Sequence, residues 1–200
     1  MGLEAQKTVE ILTSGGVVAW PTDTTWGLLV AADHPNAIKR VYSIKRRPTN
    51  KPLQLLVGNL KAAEKLAVID DFEATWKKLT SSFWPGGLTL VVPASKDVPG
   101  YLTHRGKVGL RLPADAELRE VIDALGGYLA ATSFNRSGEP PVASYEEALL
   151  MADGVDYVRP GKANGLASSV YELPEGNLLR AGALSADKII DVLEEEWSRN

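Results

Sequence analysis

Apolar positions along the chain fall into two alternating kinds of segment. Short apolar runs bounded by turn residues predict strands near Val17–Pro21, Pro52–Val57, Leu88–Pro93, Val108–Leu112, Tyr128–Thr132, Ser169–Leu173 and Asn177–Leu179. Between them, helical spacing predicts helices over Leu3–Thr13, Pro35–Ile44, Leu60–Ala67, Phe72–Ser82, Ala116–Leu125, Tyr145–Met151 and Ala186–Trp197, several preceded by a capping Ser, Asp or Asn. The alternation is that of an α/β fold. It is not a strict βαβ repeat, because Leu88–Leu112 and Ser169–Leu179 each hold two strands joined by a loop, so a mixed sheet is expected. No repeat, low-complexity tract or long linker divides the chain, which predicts one domain over residues 1–200.

Bulk composition narrows the functional classes. Two hundred residues, 44% hydrophobic and 24% charged, suffice for one full core. A net charge of -3 argues against a non-specific nucleic-acid binder with a dominant basic face. With no cysteine and only His34 and His104, thiolate chemistry and structural zinc are excluded. The N-terminus lacks the pattern of a signal peptide, and no apolar run approaches membrane-spanning length, so a cytoplasmic protein is expected.

Three polar segments interrupt this pattern. Pro21-Thr22-Asp23-Thr24-Thr25-Trp26-Gly27-Leu28 follows an apolar run and reads either as a turn or as a ligand site. Lys39 to Lys51 packs six cations into thirteen residues. Pro48 disfavours helix at Arg47, so an extended exit would let Lys45, Arg47 and Lys51 converge on a polyphosphate; the alternative is a helix terminus or solvated surface. Ser133-Phe134-Asn135-Arg136-Ser137-Gly138 is a small-polar loop after a strand, suited to phosphate or ribose or to a plain turn. Arg111 and Arg180 stand among apolar strand neighbours and call for an anion, either a buried carboxylate or a ligand. His104 with Arg105 has acid/base potential, but a lone surface histidine is usually inert and no serine sits in a Gly-x-Ser-x-Gly elbow; Arg159-Pro160-Gly161-Lys162 lacks the spacing and hydroxyl of a phosphate-binding loop.

In order, these segments resemble the TsaC/YrdC family of threonylcarbamoyl-AMP synthases. Pro21–Leu28 is similar to its PTDTVYGL, Lys45–Leu53 to KxRP followed by KPL, and Trp84–Thr89 to WPGPLT. Val108–Pro113 is similar to VAVRxP, Ser133–Gly138 to SANxSG, and Leu179–Gly182 to LRPG. The resemblance implies a single α/β domain of the YrdC/RibB-like kind, with a twisted mixed sheet flanked by helices and a large, positively lined cavity open to ATP and threonine. It implies synthesis of threonylcarbamoyl-adenylate and pyrophosphate from L-threonine, bicarbonate or CO2, and ATP, with Mg2+ held through the ATP phosphates and no protein metal site. A threonylcarbamoyl transferase complex would then modify adenosine 37 of tRNA. The alternatives are an RNA-binding module, its phosphate contacts on the Lys39–Lys51 patch, or a related carbamoyl-adenylate-forming domain acting on another acceptor; weak tRNA binding is compatible with either, and no membrane partner is expected.

By the same resemblance, Thr22, Arg111, the main chain at Ala131 and Ser169 surround threonine. Arg47, Lys51, Ser133, Asn135, Pro141 and Arg180 bind ATP, and Lys45 with Arg47 are the catalytic candidates. Asp23 acquires no role. Departures from the family pattern fall around both pockets: Trp26 for Tyr, Ser169 for Thr, Thr132 and Phe134 around Ser133, Pro141 for Ser, and Ala181 for Pro.

Overall fold

The structure is a computed structural model that describes residues 1–194. Its elements in chain order are α1 (Leu3–Thr13), β1 (Val18–Pro21), β2 (Trp26–Val30), α2 (Pro35–Lys45), β3 (Gln54–Val57), α3 (Leu60–Leu66), α4 (Glu73–Phe83), β4 (Leu88–Pro93), β5 (Lys107–Arg111), α5 (Ala116–Ala124), β6 (Tyr128–Ser133), α6 (Tyr145–Leu150), β7 (Tyr157–Val158), β8 (Ser169–Glu172), β9 (Asn177–Arg180) and α7 (Ala186–Glu194). The helix expected over Ala186–Trp197 runs to Glu194; its last three residues lie outside the described ones.

All the strands join one sheet in the order β7-β1-β2-β6-β3-β5-β4-β8-β9, mixed as expected, with parallel pairs β1/β7, β3/β5 and β4/β8. Two strands escape sequence reading. Trp26–Val30 is buried at every position, so it shows no alternation, and it forms a hairpin with β1 through Pro21↔Trp26. Tyr157–Val158 is too short for periodicity to register.

Strand periodicity places the site. On one sheet face, Leu88, Leu90, Val92, Val108 and Leu110 join the larger core cluster, together with Val41 of α2, Trp76 and Leu79 of α4 and Ile189 of α7. On the other face, α1 and α5 cover only the β1, β2, β6 and β3 part, where Val18, Trp20, Leu29, Leu56 and Leu129 meet Leu12, Leu118 and Ile122. Asp115 fixes α5 here, accepting from the Leu118 amide (3.1 Å) and from Trp20 Nε1 (2.8 Å). Beyond β3, no helix among the described residues covers that face over Thr89, Lys107, Gly109 and Arg111, and there the cavity opens.

A candidate anion-binding active site

A cavity of about 550 Å3 lies on this half-covered face. Arg47, Arg111, Ala131, Ser133 and Arg180 all border it. Thr22, Lys45, Lys51, Asn135, Pro141 and Ser169 do not: they form its supports or lie beside it.

Arg111 points from β5 into the cavity and is 3% exposed. Its Nε donates to Gly86 O (2.9 Å), Nη1 to Thr24 Oγ1 (2.6 Å) and Nη2 to Asp23 Oδ1 (2.7 Å). A guanidinium has five N–H groups, so two remain for a ligand. Of the two anions expected for Arg111, the structure supplies the buried carboxylate, Asp23. Asp23, without a role in the sequence, is the carboxylate that allows a buried cation to exist here. Burial still lowers the Arg111 pKa, and Asp23 opposes that shift.

The Thr22–Thr25 turn frames Arg111 rather than presenting Thr22. The Thr22 hydroxyl donates to Thr25 O (2.7 Å) and accepts from the Thr24 amide (3.1 Å), which leaves Thr24 and Thr25 on the cavity wall. Ser169 is also turned away: its Oγ donates to Leu184 O (2.6 Å) and accepts from the amides of Gly182 (2.9 Å) and Leu184 (3.0 Å). Ser168, the residue before β8, borders the cavity in its place, with Val170 and Glu172 of the strand at the same parity. Trp26, the other departure near the threonine pocket, is fully buried, stacks on Tyr145 and does not border the cavity.

Ser168 belongs to a chain of polar side chains that sequence spacing does not reveal. Arg180 donates through Nε to Ser168 O (2.9 Å) and through Nη2 to Ser168 Oγ (3.0 Å). Thr89 donates to Gln54 Oε1 (3.0 Å), so in its 2.8 Å bond with the Ser168 hydroxyl it accepts. One direction of donation satisfies every member and holds Arg180 toward the cavity. Arg47 is fixed by Lys51 O (2.9 Å) and Pro52 O (3.1 Å), while the Lys51 side chain itself is exposed. Burial, then the charges of Arg111 and Arg47, lower the Arg180 pKa. Burial lowers that of Arg47 as well, against a smaller opposing effect of Tyr42. Four arginines and Lys107 border the cavity against one lining carboxylate, Glu172, and the Asp23 carboxylate behind Arg111, an excess of positive charge that an anion relieves.

Lys45 is not aimed at that anion. It is 1% exposed, and its ammonium donates to Ser133 O, Asn135 O (3.0 Å) and Asn135 Oδ1. Ser133 Oγ donates to the same Asn135 oxygen (2.8 Å), and Asn135 Nδ2 donates to Glu139 O (2.5 Å). Lys45 therefore clamps the loop after β6, and Asn135 is consumed as its partner. Pro141 lies further along this loop, half-buried, where Val142 N donates back to Phe134 O (2.9 Å).

Burial, then the charge of Arg47, bring the Lys45 amine down to about 7. An unfolded lysine titrates near about 10.4, so between these values the unfolded chain binds the extra proton and stability rises with pH. Lys45→Met removes that dependence. The stability of wild type relative to Lys45→Met is expected to grow by up to about 1.4 kcal/mol per pH unit between about pH 7 and about pH 10. Urea titrations across that range measure it; a difference that stays flat would mean the three acceptors keep the amine charged throughout.

Comparison with known proteins then places the chain. The model of the Sua5/YciO/YrdC family, described as "Telomere recombination", matches residues 10–182. The chain belongs to this family. A threonylcarbamoyl-AMP synthase of Stenotrophomonas maltophilia is 31% identical over 187 residues, covering 90% of this chain and 98% of the relative. Another, of Pyrococcus abyssi, is 34% identical over 190 residues and covers 92% of this chain. The present chain spans only 55% of that longer relative. Among solved structures, P. abyssi Sua5 complexed with L-threonine superposes with a TM-score of 0.84 at 32% identity, over 96% of this chain and 57% of the Sua5 chain. Within the family frame, the described residues contain no group of three or more His, Cys, Asp or Glu placed to hold a metal ion, and no helix long and apolar enough to cross a membrane.

Proposed function

We propose that this chain is a nucleotidyltransferase that makes threonylcarbamoyl-adenylate from L-threonine, bicarbonate or CO2, and ATP, releasing pyrophosphate. The observation that carries the reading is the convergence of Arg47, Arg111 and Arg180 on one cavity, with Arg111 holding two N–H groups in reserve. The names of the relatives and the threonine complex of P. abyssi Sua5 support threonine and an adenylate product; bicarbonate or CO2 is the carbon source that a threonylcarbamoyl group requires.

The chemistry asks little covalent work of the protein. The threonine amine takes up CO2 as a carbamate, and a carbamate oxygen attacks the α-phosphorus of ATP as pyrophosphate leaves. The nucleophile is thus part of the substrate, and the protein's tasks are alignment, charge stabilisation and exclusion of water from a labile carbamate. The two spare donors of Arg111 suit the threonine carboxylate, a planar acceptor matched to a guanidinium fork. Ala131 and the Thr24, Thr25 and Ser168 hydroxyls stand on the walls beside it. Arg47 and Arg180 suit the phosphates, and the Ser133 loop clamped by Lys45 forms the wall along the nucleotide.

Mg2+ would arrive on the ATP phosphates. Glu172 is the one carboxylate among the cavity-lining residues, and Lys107 already pairs with it (2.9 Å), so these residues do not make a resident metal site and no step is assigned to one. The product would pass to a threonylcarbamoyl transferase complex for modification of tRNA adenosine 37, in the cytoplasm.

Pyrophosphate release tests the reading. It should require ATP, bicarbonate and threonine together, and serine should replace threonine poorly. Release that ignores threonine, or that responds to carbamoyl phosphate in place of bicarbonate, would reassign the substrate.

A further inference from the structure

Arg180 is held at the cavity without a carboxylate. Its partners among the described residues are two neutral oxygens of one residue, the carbonyl (2.9 Å) and the hydroxyl (3.0 Å) of Ser168. The cations around it work against that placement. The charges of Arg111 and Arg47 both bear on Arg180, and like charges drive a long side chain toward solvent until an anion arrives. What keeps the guanidinium in place is therefore how well the Ser168 hydroxyl accepts from it.

A guanidinium only donates, so the Ser168 hydrogen has to point elsewhere. It goes to Thr89 (2.8 Å), whose own single hydrogen goes to Gln54 Oε1 (3.0 Å). The chain thus ends on an amide oxygen, which accepts and never donates. Without an acceptor at that end, Thr89 would turn its hydrogen back onto Ser168, whose oxygen would then face two donors while its own hydrogen had no acceptor. Gln54 reaches Thr89 across an intervening strand. β3 and β4 flank β5 and so stand about 10 Å apart, a gap that two short side chains do not bridge. The long Gln54 side chain crosses over Gly109, where a Cβ would lie 3.6 Å from Gln54 Cβ and 3.5 Å from Thr89 Cγ2. Gly109 has no positive φ to account for a glycine inside a strand, and the close passage of Gln54 accounts for it instead.

We propose that Gln54 is a positioning residue for the nucleotide: its amide oxygen, acting through Thr89 and Ser168, sets the Arg180 guanidinium at the cavity before the ligand binds. This rests on the adenylate-forming reading of the same site, in which Arg180 meets ATP. A site arranged beforehand loses less binding energy to ordering its own side chains. The place of Gln54 in the chain adds a second consequence. Arg47 is held by the carbonyls of Lys51 (2.9 Å) and Pro52 (3.1 Å), just before Gln54. The segment Lys51–Gln54 thus fixes two arginines of the cavity, Arg47 through its main chain and Arg180 through a side chain.

Gln54→Met keeps the length of the side chain and removes the acceptor. Calorimetry should find ATP bound about fivefold more weakly, the effect of one hydrogen bond. In turnover, KM for ATP should rise by a similar factor with kcat and KM for threonine nearly constant, a split that general loosening of the fold would not produce. Thr89→Val breaks the same chain one step on and should match it, while Thr89→Ser should restore wild-type binding. Because both residues act through one chain, the double variant should lose no more than either single one, and Gln54→Met should cost nothing further in an Arg180→Ala background. Losses that multiply in the double variant, or that persist without Arg180, would mean that Gln54 meets the nucleotide directly, and would overturn the proposal. ATP bound by Gln54→Met within about twofold of wild type overturns it too, and leaves the adenylate-forming reading standing. If wild type binds no ATP, that reading and the role of Gln54 fall together.

Discussion

Asp23→Ala is expected to lower the melting temperature by on the order of 10 °C, more than a surface carboxylate would cost. The side chains of Asp23 and Arg111 are 14% and 3% exposed, and their 2.7 Å contact is the one ion pair Arg111 makes among the described residues. Removing one member of a buried pair leaves a desolvated charge, at a cost of about 3 to 5 kcal/mol. In a chain of this length each kcal/mol shifts the midpoint by about 2 to 4 °C. Asp23→Asn keeps an oxygen for the Nη2 donor and should lose less. Thermal unfolding followed by circular dichroism gives the answer, and a midpoint within about 2 °C of wild type would show that water reaches Arg111. An anion in the cavity should partly replace the missing carboxylate, so threonine should raise the midpoint of Asp23→Ala if it binds at Arg111.

How much of this site the sequence discloses depends on whether a feature is local. Strands β4 and β5 and helices α1, α2 and α5 follow from patterns only a few residues wide, and the structure has them within a residue or two. β2 does not, because a strand buried on both faces carries no period to read. The need of Arg111 for an anion is legible from its apolar neighbours, but Asp23 lies 88 residues away and only the sheet order brings them together. Hydroxyls are the least legible. Thr22 spends its oxygen on its own turn, and a one-residue change of parity at the start of β8 separates Ser168, which borders the cavity, from Ser169, which does not. Lys45 illustrates the same limit: a cation cluster predicts positive charge near a site, but not that Asn135 and Ser133 will claim one ammonium entirely.

Arg111→Lys is expected to lower kcat/KM for threonine by about 100- to 1000-fold while leaving the fold intact. Lysine keeps the positive charge, so Asp23 remains compensated and the melting temperature should move far less than in Asp23→Ala. What is lost is the fork. The guanidinium serves Gly86, Thr24 and Asp23 from three different nitrogens and keeps two N–H groups over, whereas an ammonium offers three protons from one point. Satisfying Asp23 and Thr24 leaves at most one proton for a substrate carboxylate. Charge-assisted hydrogen bonds are worth about 1.5 to 3 kcal/mol each, and losing a bidentate pair accounts for the expected factor. Threonine-dependent pyrophosphate release, measured with threonine varied at saturating ATP and then the reverse, separates the two substrates. The loss should fall on threonine, with KM for ATP changed little, because Arg47 and Arg180 keep their own partners. A variant that retains threonine kinetics within about tenfold of wild type would remove Arg111 from the amino-acid pocket, since that factor is about the contribution of a single hydrogen bond.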